Sequence, residues 1–325
     1  MFSQIKRISN RQYRYLEHSF RVGRKVRKIS FYMPKAGKPD LRQFFIKNIK
    51  SIEKISGINA DYIAKHRKFS DFFGYGGQIK KIESKKIEFQ ILFKLISEAS
   101  KKKIVGEFLR IFLVNSMAME GGTISYDVAK AIEQKKKIRI EGIRELDIPL
   151  YIQLQGAYSS LNNIKLRYPK QIKDLHFQIY KGVYPFAGKF RKEEVTFGNA
   201  EDMAITSKPE NIIKGYAAAL RKYYSSKTRV YDFERVVEFH KDFQAVHGFE
   251  DGNSRLGRLI TVNQLMKLGY PPMIIRGSQS RGYRQSLVRA INEGDNTSLL
   301  KFFYNAYNRS FDKFWLPILQ ENVKV

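Results

Sequence analysis

The chain has no cysteine among its 325 residues, which excludes disulfides and thiolate metal sites and leaves a compartment such as the cytosol open. It is poor in acid: 31 Asp and Glu stand against 60 Lys and Arg, for a formal net charge of +29. Such a field attracts polyanions, whether nucleotide, nucleic acid or acidic protein. Charge-free apolar runs of the roughly 18 residues a membrane span needs are missing. The opening Met-Phe-Ser-Gln-Ile-Lys-Arg has no apolar signal region. A soluble, cytoplasmic protein with no membrane partner is therefore expected. No internal repeat is evident.

The length allows a large core, read as one main domain with an appendage. Tyr13 to Val22 and Lys25 to Met33, joined at Gly23, read as a basic hairpin, followed by a helix to about Lys54; together they make a basic N-terminal module over residues 1–75. Residues 76–86, rich in Gly and Lys, read as a linker. Ile87 to Val114 form an apolar helical run. The positive charge falls in separate runs, Lys47 to Lys54, Lys80 to Lys86, Lys101 to Lys103 and Lys135 to Arg139. Spread charge of this kind reads as solvated surface, so nucleic-acid binding is the lesser expectation and is not excluded.

The chemistry concentrates at His247-Gly-Phe-Glu-Asp-Gly-Asn-Ser-Arg-Leu-Gly-Arg258. Before it, Phe233, Val236, Val237, Phe239, Phe243 and Val246 recur at helical spacing; after it, Leu256, Leu259, Ile260, Val262, Leu265 and Met266 do so up to the stop at Gly269-Tyr-Pro-Pro. The turn thus opens a helix, whose unpaired N–H groups and dipole favour an anion. Arg255 and Arg258, three apart, share a face and can both reach phosphate oxygens. Asp251 is a hard oxygen ligand suited to Mg2+, and His247 is the side chain best suited to act as a base near neutrality.

In this order the residues resemble the signature of the Fic domain family: His, any residue, Phe, any residue, Asp or Glu, Gly, Asn, Gly, Arg, two residues, Arg. Every fixed position but one is matched. The resemblance implies a protein adenylyltransferase, moving AMP from ATP to a Ser, Thr or Tyr hydroxyl of a target protein. It implies His247 as the catalytic base, Asp251 as the Mg2+ ligand, and Gly252, Asn253 and Ser254 as an anion hole. Arg255 and Arg258 would bind the outer phosphates, and Phe249 would anchor the loop. Ser254 stands where most members have Gly, placing a side chain where backbone and phosphate approach most closely. Gly248 stands at a variable position where Pro is commonest. Tyr283 is expected to line the adenine pocket.

Upstream, Asn115-Ser-Met-Ala-Met-Glu120-Gly-Gly-Thr123 ends the helical run with Ser116 and Glu120 four apart on one helix face. An acid at a helix C-terminus opposes the dipole and invites a cationic partner. The segment resembles the inhibitory motif of the Fic class with an N-terminal inhibitory helix, which implies pairing of Glu120 with Arg258, and a role for the same Glu in removing AMP. Tyr180 to Arg191 resembles the approach to a hairpin flap, expected over residues 193–207 around Phe197-Gly-Asn-Ala, whose edge would take a target segment by strand addition.

The expectation is thus a mainly α fold: a Fic-type helical bundle with a β-hairpin flap and a small basic N-terminal appendage containing a hairpin. The helix and inhibitory motif span 87–124 and the catalytic domain 125–318, with no helix-turn-helix extension before Val325. Cofactors are ATP and Mg2+; partners are the target protein and the nucleotide, with a homodimer left open. The alternatives are a Fic-type phosphotransferase using the same residues, a predominantly AMP-removing enzyme that needs Glu120, and a non-catalytic basic protein that binds nucleic acid.

Overall fold

The computed structural model describes the chain except residues 1, 10, 23–24, 34–40, 75, 138–140, 200–201, 226, 228 and 323–325. For parts of the N-terminal strands and the first half of the first helix it describes backbone alone. The chain separates into two compact units, residues 1–105, 269–271 and 308–325 in one and 106–268 and 272–307 in the other.

The first unit begins with a sheet of β1 (Phe2–Ile8), β2 (Arg11–Val22) and β3 (Lys25–Met33), antiparallel in the order β1-β2-β3. The hairpin expected from sequence is therefore two-thirds of a three-stranded sheet; its joining residue Gly23 lies outside the described residues. Helix α1 (Leu41–His66) runs a further three turns past the expected end at Lys54.

Residues 76–86 are not a linker. Helix α2 spans Gly77–Leu95, with Gly76 as a left-handed N-cap at φ 88°, so the glycines mark a helix start. Ile79 and Ile82, three apart, are fully buried, while Lys80 and Lys81 face solvent. Each such Ile contributes about 1.5–3 kcal/mol of burial, which outweighs the composition signal. Within this unit Phe89 packs edge-on to Trp315 at 5.0 Å, and Tyr270 donates to Glu83 at 2.8 Å.

The apolar run from Ile87 is also not one helix. Ile96 is extended, and Ser97 accepts from the Ser100 N–H at 3.1 Å, capping a new helix α3 (Glu98–Ala118).

The second unit holds α4 (Tyr126–Glu133), α5 (Asp147–Asn163), α6 (Pro169–Tyr180), α7 (Ile212–Ser225), α8 (Asp232–Val246), α9 (Asn253–Lys267), α10 (Ser280–Asn292) and α11 (Thr297–Ser310). A final helix α12 (Leu316–Asn322) returns to the first unit. Helix α9 is central: every residue from Asn253 to Leu265 is buried, with α8 and α5 packed against it. Its polar members are satisfied inside, Thr261 donating to the Gly257 carbonyl at 2.8 Å and Asn263 to Asn162 at 2.7 Å.

A short antiparallel hairpin, β4 (Phe197–Asn199) with β5 (Asp202–Ala204), occupies the centre of the stretch read as a flap; its turn lies outside the described residues. The expected mainly α architecture is observed. Among the described residues, no helix is long and apolar enough to cross a membrane.

Candidate active site

His247 closes α8 in the left-handed conformation, φ 46° and ψ 52°. A non-glycine residue holds such a backbone only where its surroundings fix it. Arg191 does so from within: its Nε donates to the His247 carbonyl at 2.7 Å, its N–H to the Gly248 carbonyl at 3.0 Å, and its guanidinium to Glu193 O, Thr206 Oγ1 and Ser207 O around the base of the hairpin. Gly248 is required sterically, since a Cβ there would lie 2.6 Å from the Tyr216 ring.

The imidazole is 9 % exposed. Its Nδ1 lies 3.3 Å from the Gln244 carbonyl, which can only accept, so Nδ1 carries the proton and Nε2 the free lone pair. Burial pushes its pKa down to about 4, with Arg191 adding to the effect, so the ring is neutral at pH 7.

The turn from Phe249 to Asn253 is locked by its own residues. Asn253 Nδ2 donates to the Phe249 carbonyl at 2.7 Å, and the Phe249 N–H returns to Asn253 Oδ1 at 3.0 Å. The Asn253 side chain is thereby spent on the loop, and only its backbone N–H remains for an anion. The ring of His176, on α6, stacks on Phe249 at 3.7 Å and 6°. Its Nδ1 accepts from the Gly188 N–H, so Nε2–H donates to the Asp251 carbonyl, both at 3.0 Å.

No side chain caps α9, which starts at Gly252 with φ 88°. Asp251 is half-exposed; one of its oxygens takes the Gly252 N–H at 2.5 Å and the other pairs with Arg255 at 2.7 Å. Arg255 is buried, lies 5.5 Å from the Tyr180 ring, and keeps a buried Nε with no partner.

Arg258, 2 % exposed, meets the upstream motif. Its Nε donates to Ser116 Oγ at 2.9 Å, Nη2 to the Ser116 carbonyl at 2.8 Å and Nη1 to Glu120 Oε1 at 3.1 Å. Ser116 sits in the last turn of α3, and Glu120 in the turn closed by Gly121 and Gly122 beyond it. The buried Tyr283 ring lies 5.8 Å from the guanidinium. Thr261 donates its hydroxyl proton to Gly257, so His240 Nδ1–H donates to Thr261 and His240 Nε2 accepts from Tyr283 O–H at 2.7 Å. Tyr283, expected from sequence to line an adenine pocket, is 1 % exposed and supports Arg258 from inside the core.

A cavity of 170 Å³ brings together Glu120, Gly198, His247, Asp251, Ser254 and Arg255. Arg284, next to Tyr283, also lines it and was missed from sequence, where it reads as one more cation on a basic helix. Across the hairpin, a 490 Å³ cavity is lined by Met203, Gln285, Ser286 and Asn292. The side-chain amide of Asn292 acts as one residue of a neighbouring strand, donating to Met203 O at 2.7 Å and accepting from Ile205 N at 3.1 Å. Met203 therefore faces away from β4, and its register partner Gly198 presents its backbone on the opposite edge, toward His247.

Residues 166–265 match the model of the Fic/DOC family. This stretch is similar to a Fic domain. A protein adenylyltransferase Fic of Drosophila willistoni is 25% identical over 246 residues, 73% of this chain and 47% of that protein. One of Nematostella vectensis is 24% identical over 220 residues, 66% and 50% of the two chains. The chain spans about half the length of the curated relatives it matches. Among solved structures, a Fic domain containing signaling protein from Bacteroides thetaiotaomicron superposes with a TM-score of 0.62 at 18% identity, covering 76% of this chain and 99% of that one. Fic-1 from C. elegans does so at 0.58 and 17%, covering 86% and 87%.

The departure from the Fic pattern at Ser254 costs nothing in backbone terms, because the residue sits inside the first turn of α9 and needs no left-handed conformation. Ser254 lines the smaller cavity, and its hydroxyl bonds no described residue. Arg191, His176 and Asn292 complete the set of contributors that sequence reasoning missed. Each is a positioning residue whose partners lie far away in the chain.

Proposed function

We propose that the chain is a protein adenylyltransferase, transferring AMP from Mg-ATP to a Ser, Thr or Tyr hydroxyl of a target protein and of itself. One observation carries the reading: a neutral His247 with a free Nε2 shares a cavity with the uncapped start of α9, Asp251 and Arg255. The N–H groups of Asn253 and Ser254 would hold phosphate oxygens, with Arg255 and Arg258 on the outer phosphates. A target oxygen would attack the α-phosphorus; the new O–P bond forms, the bond to pyrophosphate breaks, and the hydroxyl proton passes to His247 Nε2.

Asp251 fits Mg2+, being a half-exposed carboxylate at the phosphate-binding turn; among the described residues no larger cluster of His, Asp and Glu exists, which suits an ion that takes its remaining ligands from phosphates and water. The ion would neutralise phosphate charge. The 490 Å³ cavity beside Asn292, in place of Tyr283, would take the base. The open edge at Gly198 would take the target chain by strand addition, since Asn292 already occupies the other edge.

In this reading Glu120 is inhibitory, because Arg258 has to leave it to reach a γ-phosphate. Intact mass after incubation with ATP and Mg2+ tests the whole scheme. Glu120→Gly is expected to gain one AMP, and the same variant with His247→Ala none. A gain of one phosphate would mean phosphotransfer, and no gain over wild type would sink the inhibitory role. Glu120 is 31 % exposed and lines the same cavity as His247, which also favours a second role in holding a water that removes AMP. Glu120→Gln is then expected to lose release of AMP from a modified protein.

A further inference from the structure

The C-terminal end of α9 lies ~20 Å along the helix from the phosphate-binding turn, at 1.5 Å per residue, and it borders a separate cavity of 620 Å³. That volume is in the range of small-ligand sites, about 300–1,000 Å³. The walls come from the α5–α6 connection, the end of α7, α8 and α9. Lys165, Arg167, Lys227, Arg235 and Lys267 all line it, and no Asp or Glu does.

Arg235 is neutralised by Asp232 at 2.7 Å, but Lys165, Arg167 and Lys267 have no carboxylate within ion-pair distance among the described residues. Burial, and Lys165 after it, hold the Lys267 pKa below the usual lysine range. Concentrated cation charge without counter-charge in a concave site is the electrostatics of an anion receptor.

One further feature restricts the anion. Tyr223 and Tyr224 supply aromatic surface on one wall, with Arg167 4.8 Å from the Tyr224 ring. Simple phosphate would use the cations alone and leave the rings idle.

We propose that this cavity is a second nucleotide site, binding a nucleoside phosphate with its phosphates at Lys165 and Arg167 and its base on the Tyr224 side. It stands on the cavity alone and does not depend on the transferase reading. Calorimetric titration of the full chain with ADP tests it. Wild type is expected to bind two equivalents. Lys165→Glu/Arg167→Glu is expected to weaken one of them at least tenfold and leave the other, while Arg255→Ala does the reverse. Lys165 and Arg167 are exposed, so the fold should survive; Lys165→Ala/Arg167→Ala is the milder second pair.

If the signature site fails to bind, one equivalent remains and vanishes in the Lys165/Arg167 variants, so the two ideas fail separately. Unchanged stoichiometry in those variants overturns the site. So does binding of a single-stranded oligonucleotide there without binding of ADP. Tripolyphosphate binding as tightly as ADP would overturn the nucleoside part.

Discussion

At the scale of single residues, His247 stays neutral well below the pH at which an ordinary imidazole takes up a proton. With the pKa pushed down to about 4, it remains a competent base across the whole neutral region. The rate of self-modification by the Glu120→Gly variant should therefore be nearly flat between pH 8 and pH 6. A base with an unperturbed pKa of about 6.5 would lose about fourfold over that interval. An initial-rate profile with a midpoint near 6.5 would show an imidazole open to water. Ser254 carries a second prediction. Its backbone is ordinary helix, and its hydroxyl, with no partner among the described residues, lines the cavity where phosphate is proposed to bind. It should donate a hydrogen bond to a phosphate oxygen. Ser254→Gly and Ser254→Ala are expected to raise KM for ATP about tenfold, the worth of one charge-assisted hydrogen bond, with kcat little changed. A fall in KM would show instead that the side chain obstructs the nucleotide.

At the scale of elements, the start of α9 depends on Gly252. Its φ is 88°, and a Cβ would sit 2.4 Å from the ring of the fully buried Tyr180. Gly252→Ala should destabilise the turn by about 1–3 kcal/mol and abolish nucleotide binding; a thermal melt paired with a nucleotide titration reads both. An alanine variant with unchanged melting and binding would mean that Tyr180 can yield. This turn was legible in the sequence because its chemistry depends on short spacings: His247 to Arg258 is one local pattern, and Ser116 with Glu120 is another. Arg191 and His176 were not legible. Their partners, His247 and Asp251, lie 56 and 75 residues away, and nothing in a lone Arg or His announces such a bond. The burial of Tyr283 was not legible for the related reason that an aromatic at helical spacing looks the same in a pocket and in a core. Helix α2 was misread because glycine and lysine suggest flexible chain, whereas here Gly76 caps the helix, the lysines solvate one face and Ile79 and Ile82 bury the other.

At the scale of the whole molecule, three buried histidines make the domain acid-sensitive. Burial lowers the pKa of His176 to about 4, of His240 to about 3 with help from Arg258, and of His247 to about 4. Each folded-state pKa lies below the unfolded value of about 6.5, so the unfolded chain binds protons more readily. The stability they allow is complete above pH 6.5 and drains as pH falls from there to about 4, on the order of 3 kcal/mol for His176 alone. Glu88 works in the opposite sense: burial raises it to about 7, so its contribution improves as pH falls from 7 to about 4.5. Three groups outweigh one, and the melting temperature should decline steadily between pH 6.5 and 4.5. The net charge of +29 also grows in acid as carboxylates protonate, and self-repulsion would act in the same direction. Salt separates the two causes. At 0.5 M the repulsion is largely screened, whereas the cost of protonating an imidazole inside the core is not. If the histidines dominate, the decline persists in 0.5 M salt; if salt removes it, the cause is surface charge.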